Sequence, residues 1–257
     1  MSEKVCVAVC GLDLNKPGFI TSVIDLIQKW DATEEIPIVF NLQLRKLLHM
    51  AQEACVMAAL ANRCSHILFV EDDTTAIPPG ALRKLLDHDV DVVGAYAYAR
   101  HFPHYSMIFN KMYPDQDKLW LSEKQPGVSI IDPDGGLKEV DMVPYQFTLI
   151  KTSVFERIEA PWFFYENRCE RLTDFWLADR CFEAGIKIHC DTDLIVQHDG
   201  IDGQTAGFYV QKELAKNWGN PKMGGNWNSA SVIPIMEQNG FQVSNEAREQ
   251  ARQIKGV

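Results

Sequence analysis

The chain has 257 residues, 46% of them hydrophobic and 23% charged, with a formal net charge of −10 at pH 7. These are ordinary globular values that allow a substantial core and argue against extensive disorder. The acidic excess offers no basic footprint for nucleic acid, and the sequence contains neither an apolar run of membrane-spanning length nor a basic amphipathic anchor.

A single domain over residues 1–257 is expected, with a first half to residue 100, a second part from 101 to 200 and an extension from 201 to 257. Met1-Ser2-Glu3-Lys4 leads into a strand rather than a signal-peptide core, so the expected location is cytoplasmic. Seven cysteines, at positions 6, 10, 55, 64, 169, 181 and 190, form no CxxC pair, and an odd number argues against a disulfide framework. They are expected reduced and mostly buried. His101 and His104 with some of these cysteines fit no usual zinc spacing.

Val5 to Cys10 reads as a strand, and Pro17 opens a helix with Phe19, Val23, Leu26 and Ile27 at helical spacing. Ile36 to Phe40 is a second strand. Leu48, Ala51, Cys55, Ala58 and Ala59 then mark one face of a long helix. The third strand is His66-Ile67-Leu68-Phe69-Val70, which stops in Glu71-Asp72-Asp73. Pro78-Pro79-Gly80 begins a short helix carrying Leu82, Leu85 and Leu86, and Val90 to Ala97 is a further strand. This alternation predicts an α/β fold with a mostly parallel sheet and right-handed crossovers.

Beyond Arg100, prolines at 103, 114, 126 and 144 and the run Asp132-Pro133-Asp134-Gly135-Gly136 predict loops and short antiparallel strands that shape a pocket. Phe147 to Ile150 reads as a strand, Thr152 to Ile158 as a short helix and Pro161 to Tyr165 as an aromatic loop. A helix from Thr173 to Glu183 ends at Gly185, followed by strands at Ile186–Cys190 and Leu194–Gln197, the latter closed by His198. A polar helix is expected near Asn245 to Ile254.

In an open α/β sheet, ligands sit beyond the carboxyl ends of the strands, where the third strand places its acids. Three adjacent carboxylates repel one another unless something cationic joins them, and hard divalent ions take such oxygen ligands. Taken alone, the tripeptide would read as a solvated acidic turn; its context changes that reading.

Two blocks in order supply the context. The first is Ile67 to Asp73, then Ile77-Pro78-Pro79-Gly80-Ala81-Leu82, then Val90-Asp91-Val92-Val93-Gly94-Ala95-Tyr96. The second runs from Thr173-Asp174-Phe175-Trp176 through Glu183-Ala184-Gly185-Ile186-Lys187 to Val196-Gln197-His198, preceded by Lys151-Thr152-Ser153-Val154-Phe155-Glu156 and Pro161-Trp162-Phe163. Together they resemble the GT-A nucleotide-sugar glycosyltransferases, especially small bacterial and phage enzymes related to glycosyltransferase family 2. The likeness covers roughly residues 5–200. Three positions depart from it: Glu71 replaces the first acid of the usual DxD, Thr173 stands where Glu is common, and Tyr145-Gln146-Phe147 replaces glycines that often line the acceptor site. A narrower or more aromatic acceptor pocket is the expected consequence.

The resemblance implies a Rossmann-like nucleotide-sugar half, a smaller antiparallel acceptor side, and a divalent cofactor, Mn²⁺ or Mg²⁺. It assigns Asp73 and His198 to the metal, and Glu71 and Asp72 to the ribose or the transferred sugar of the donor. Topology alone, with Cys10-Gly11-Leu12-Asp13 at the end of the first strand, places Gly11 and Asp13 near the nucleotide base. Asp174 is implied to meet the acceptor hydroxyl, as general base in an inverting reaction or as an orienting group in a retaining one. The partners implied are a nucleotide-sugar and a hydroxyl-bearing saccharide or small molecule, a modified nucleic acid being disfavoured by charge. Trp162, Phe163, Phe164 and Tyr165 fit either a stacking platform or core and lid packing. Two alternatives share parts of the pattern: a non-catalytic nucleotide-sugar-binding module, and a sugar-1-phosphate nucleotidyltransferase. The latter normally carries a glycine-rich, arginine-containing loop, which residues 11–18 lack.

Overall fold

The computed structural model describes residues 3–11, 17–33, 36–98, 106–110, 129–130, 133–164 and 173–198. In chain order its elements are β1 (Val5–Gly11), α1 (Pro17–Thr33), β2 (Ile38–Leu44), α2 (Leu48–Ala61), β3 (His66–Glu71), β4 (Thr74–Thr75), α3 (Ala81–Asp87) and β5 (Val92–Tyr96). There follow β6 (Phe109–Asn110), β7 (Ser129–Ile130), β8 (Leu137–Val140), β9 (Phe147–Lys151), α4 (Val154–Arg157), α5 (Thr173–Glu183), β10 (Ile188–Ile195) and β11 (Gln197–His198). The predicted helix at 245–254 and the histidines at 101 and 104 lie outside the described residues.

The fold is α/β, as the element order predicts. Seven strands form one sheet in the order β2-β1-β3-β9-β5-β10-β8, and β8 and β9 run opposite to the other five. β1 pairs in parallel with neighbours on both sides, so all its residues from Val5 to Cys10 are buried and its sequence is a continuous apolar run. Successive side chains point to opposite faces. Cys6, Ala8 and Cys10 pack with Ala51, Cys55, Val56 and Ala59 of α2 and with Phe175, Leu177 and Cys181 of α5. Val5, Val7 and Val9 pack with Phe19, Val23 and Leu26 of α1 and with Leu82, Leu85 and Leu86 of α3. Helices therefore cover both faces of the sheet.

The strand β9 enters antiparallel between β3 and β5. Gly94 allows this approach: a Cβ at that position would lie 2.7 Å from Thr148 Oγ1 and 2.8 Å from Val143 Cβ.

Three local expectations are corrected. β2 starts at Ile38 and extends to Leu44, because its parallel pairing with β1 continues until Leu44 stands opposite Gly11; Gln43 Nε2 donates to Asn41 Oδ1 at 2.8 Å along the added part. The helix expected over 152–158 is a single turn, Val154–Arg157. The strands expected at 186–190 and 194–197 divide differently: β10 runs without a break from Ile188 to Ile195, its pairing with β5 shifting between Asp191 and Ile195, and Gln197 belongs to β11. Asp191 makes that irregularity possible: its Oδ1 accepts from the backbone N–H groups of Asp193 (3.0 Å) and Leu194 (3.2 Å).

Candidate metal centre

Glu71 is the last residue of β3, and Asp72 and Asp73 lead directly into β4. The short strand β11 pairs antiparallel with β4, setting His198 opposite Thr74 and therefore against Asp73. His198 Nε2 lies 3.0 Å from Asp73 Oδ2, with Asp73 3% and His198 6% exposed. One oxygen of Glu71, one of Asp73 and one ring nitrogen of His198 all lie within 4.8 Å of one another, the one group of this kind among the described residues. Two neighbouring carboxylates and an imidazole form a donor set suited to Mn²⁺ or Mg²⁺, the nitrogen favouring Mn²⁺ over Ca²⁺.

The other face of the histidine is engaged as well. Its Nδ1 lies 3.2 Å from the Tyr98 carbonyl oxygen and 3.3 Å from Gln146 Nε2. Metal-binding histidines commonly use a backbone carbonyl in this way to hold the outer N–H and fix the ring. Gln146, 2% exposed, also donates from Nε2 to Glu71 Oε2 at 2.6 Å, and its own backbone carbonyl accepts from Thr74 Oγ1 at 2.8 Å.

Gly11 ends β1 beside the acids. A Cβ built there would fall on the Asp72 side chain, 2.5 Å from its Cβ and 2.6 Å from its Cγ. Only glycine lets the Asp72 carboxylate lie against the end of β1. Asp13, read with Gly11 as a donor-side residue, lies outside the described residues.

Asp174 is half-buried in the first turn of α5, and its Oδ1 accepts from the Phe175 backbone N–H at 3.0 Å. Burial pushes its carboxyl up to about 6, against the lowering effect of that backbone hydrogen bond. Asp174 does not belong to the three-residue group. Burial raises the Tyr145 phenol well above its ordinary range, and the charges of Asp174, Cys181 and Glu71 raise it further. The Tyr145 ring packs into the core, tilted against Phe69 (5.3 Å between ring centroids) and edge-on to Phe163 (5.6 Å).

The aromatic loop is therefore largely packing. Phe163 is fully buried, Trp162 donates to the Phe155 carbonyl at 3.1 Å, and Phe164 alone of the three is exposed, lying against Trp176. Tyr165 lies outside the described residues, and the six described cysteines are free and buried. Among the described residues, no helix is long and apolar enough to cross a membrane.

Sequence reasoning named Asp73 and His198, which the fold brings together. It placed Glu71 on the donor side, where its carboxylate joins the same group. It noted Gln146 only as a departure in the acceptor region. The available signal was a lone amide in the apolar stretch Val143-Pro144-Tyr145-Gln146-Phe147, since a polar group buried at a strand start must find partners.

No protein-family model and no curated protein sequence matches the chain. Among solved structures it is similar to A197 from STIV, at 16% identity over 79% of this chain and 92% of that one, with a TM-score of 0.47. It is also similar to a UDP-glucose pyrophosphorylase complexed with UDP-glucose, at 10% identity over 84% and 98%, TM-score 0.45. A third is a glycosyltransferase involved in the glycosylation of the major capsid of PBCV-1, at 9% identity over 62% and 68%, TM-score 0.31. At such identities fold and function are separate questions.

Proposed function

We propose that the chain is a metal-dependent glycosyltransferase of the GT-A type, moving a sugar from a nucleotide-sugar donor to a hydroxyl acceptor. The observation that supports this reading is the convergence of Glu71, Asp73 and His198 at the carboxyl end of β3, where α/β sheets bind ligands. A divalent ion held there supplies Lewis-acid neutralisation of the donor diphosphate, whose charge otherwise makes it a poor leaving group.

The residues of the chain divide the remaining work. Glu71 and Asp73 offer oxygens and His198 a nitrogen to the ion, while the Tyr98 carbonyl orients the ring. Asp72, held against Gly11, is directed to the ribose or sugar of the donor, and the end of β1 to the base. Asp174, with its carboxyl near 6, is ionised at neutral pH yet basic enough to take the proton of an acceptor hydroxyl in an inverting reaction. In a retaining reaction the same carboxylate orients the acceptor.

The test is a panel of UDP-, GDP-, CMP- and TDP-sugars screened by thermal unfolding with Mn²⁺ and with EDTA. At least one donor should raise the unfolding temperature only with metal, because a ligand specific for the folded state stabilises it by mass action. A donor that stabilises equally in EDTA, or a panel with no effect at all, would count against the reading. Release of free sugar or transfer to a hydroxyl acceptor then separates an enzyme from a binding module.

A further inference from the structure

We infer that Gln146 is a positioning residue of the metal centre, setting its affinity by holding Glu71 in the orientation that binds the ion. This inference rests on the metal reading above and deepens it.

One residue touches all three segments that carry the proposed ligands. Its side-chain amide donates to Glu71 Oε2 at the end of β3 at 2.6 Å, and it lies 3.3 Å from His198 Nδ1 of β11. Its main-chain carbonyl takes the hydroxyl proton of Thr74, the residue after Asp73, at 2.8 Å. A 2.6 Å bond from an amide to a carboxylate is short and charge-assisted, so it fixes a side chain that otherwise turns about three bonds. Gln146 is itself 2% exposed, and no partner meets its Oε1 among the described residues. Burying an amide oxygen without a partner is unfavourable, and a hydrophobic side chain would fill the same space without that cost. What glutamine adds at this position is an N–H donor aimed at Glu71 in the metal centre.

The experiment measures Mn²⁺ binding to the whole chain by the EPR signal of free Mn²⁺, and the visible spectrum of the Co²⁺-loaded protein at saturation. The variants are Gln146→Met, which keeps the length and volume but donates nothing, and Gln146→Asn, which donates but is one methylene short of Glu71. Loss of an outer hydrogen-bond partner of a metal ligand typically costs about 10–100-fold in affinity. Both variants should weaken Mn²⁺ binding by about that factor and shift the Co²⁺ bands, with unfolding in EDTA unchanged within a few degrees. Wild-type Mn²⁺ affinity in the folded variants, or weakened affinity with an unaltered Co²⁺ spectrum, would overturn the positioning role. If the wild-type chain itself bound no Mn²⁺, or bound it equally well as Asp73→Ala, the metal reading would be the part that failed.

Discussion

His198 Nε2 and Asp73 Oδ2 lie 3.0 Å apart although the residues are separated by 125 positions in the chain. The contact is made by a short ladder, two residues of β4 against two of β11. β4 follows directly from the acidic end of β3, and β11 follows from β10 after a single residue, Val196, whose N–H bonds the Tyr96 carbonyl at 3.0 Å. A rigid seven-stranded sheet thus holds both halves of the centre, and the carboxylates need little reorganisation to receive an ion.

Asp174 has a pH signature of its own. Burial raises its carboxyl to about 6, so between about pH 4 and about pH 6 the folded chain holds a proton that the unfolded chain has released. Stability contributed by this group therefore falls as pH rises through that window. Asp174→Asn should raise stability by about 1–3 kcal/mol at about pH 7, a gain that closes below about pH 4. Donor transfer should fall by about 10²–10⁴-fold if Asp174 is the base, and in the native protein kcat/KM should decline below about pH 6. A wild-type rate in the Asn variant would remove Asp174 from the reaction.

Gly11 and Asp72 should behave as a coupled pair. Gly11→Ala drives a methyl into the Asp72 side chain, and overpacking of this kind costs about 1–3 kcal/mol. Placing Gly11→Ala on an Asp72→Gly background removes the colliding atoms and should recover most of the loss in urea unfolding. Equal losses in the two backgrounds would show that the end of β1 is not held against Asp72.

Asp191 offers a prediction about the sheet rather than the site. Burial alone would raise its carboxyl, but hydrogen bonds from His88 Nε2 (2.8 Å) and Lys84 Nζ (2.9 Å) outweigh that and hold it below the ordinary range. A depressed carboxyl contributes stability above its unfolded pKa and loses it as pH falls through the folded one. Asp191→Asn should cost about 1–3 kcal/mol near neutrality, with the difference from the native chain shrinking below about pH 4. A constant difference across pH would assign the loss to shape instead of charge.

Where the sequence carries a strong local pattern, element and boundary agree with the fold. Thr173–Glu183 is a helix over the predicted span, and β1 differs by one residue, because an apolar face at helical spacing and an unbroken apolar run each admit one solution. Sheet order is not local, and nothing within Phe147–Lys151 encodes that it runs antiparallel between β3 and β5. Asp191-Thr192-Asp193 reads as a break because polar residues usually end strands; here the Asp191 carboxylate satisfies the interrupted ladder and the strand continues. Among the site residues, Asp73 and His198 were legible from strand ends and from resemblance. Gln146 was not, since its role depends on a contact with Glu71, 75 positions before it.

In the proposed function, Glu71, Asp73 and His198 bind a donor nucleotide-sugar through a divalent ion. Calorimetric titration of the best-stabilising donor, in Mn²⁺ and again in EDTA, tests it most directly, with Asp73→Ala beside the native chain. Donor binding is expected in Mn²⁺ alone, and none by the folded Asp73→Ala variant under either condition. Donor affinity unchanged by EDTA, or retained in full by Asp73→Ala, would contradict it.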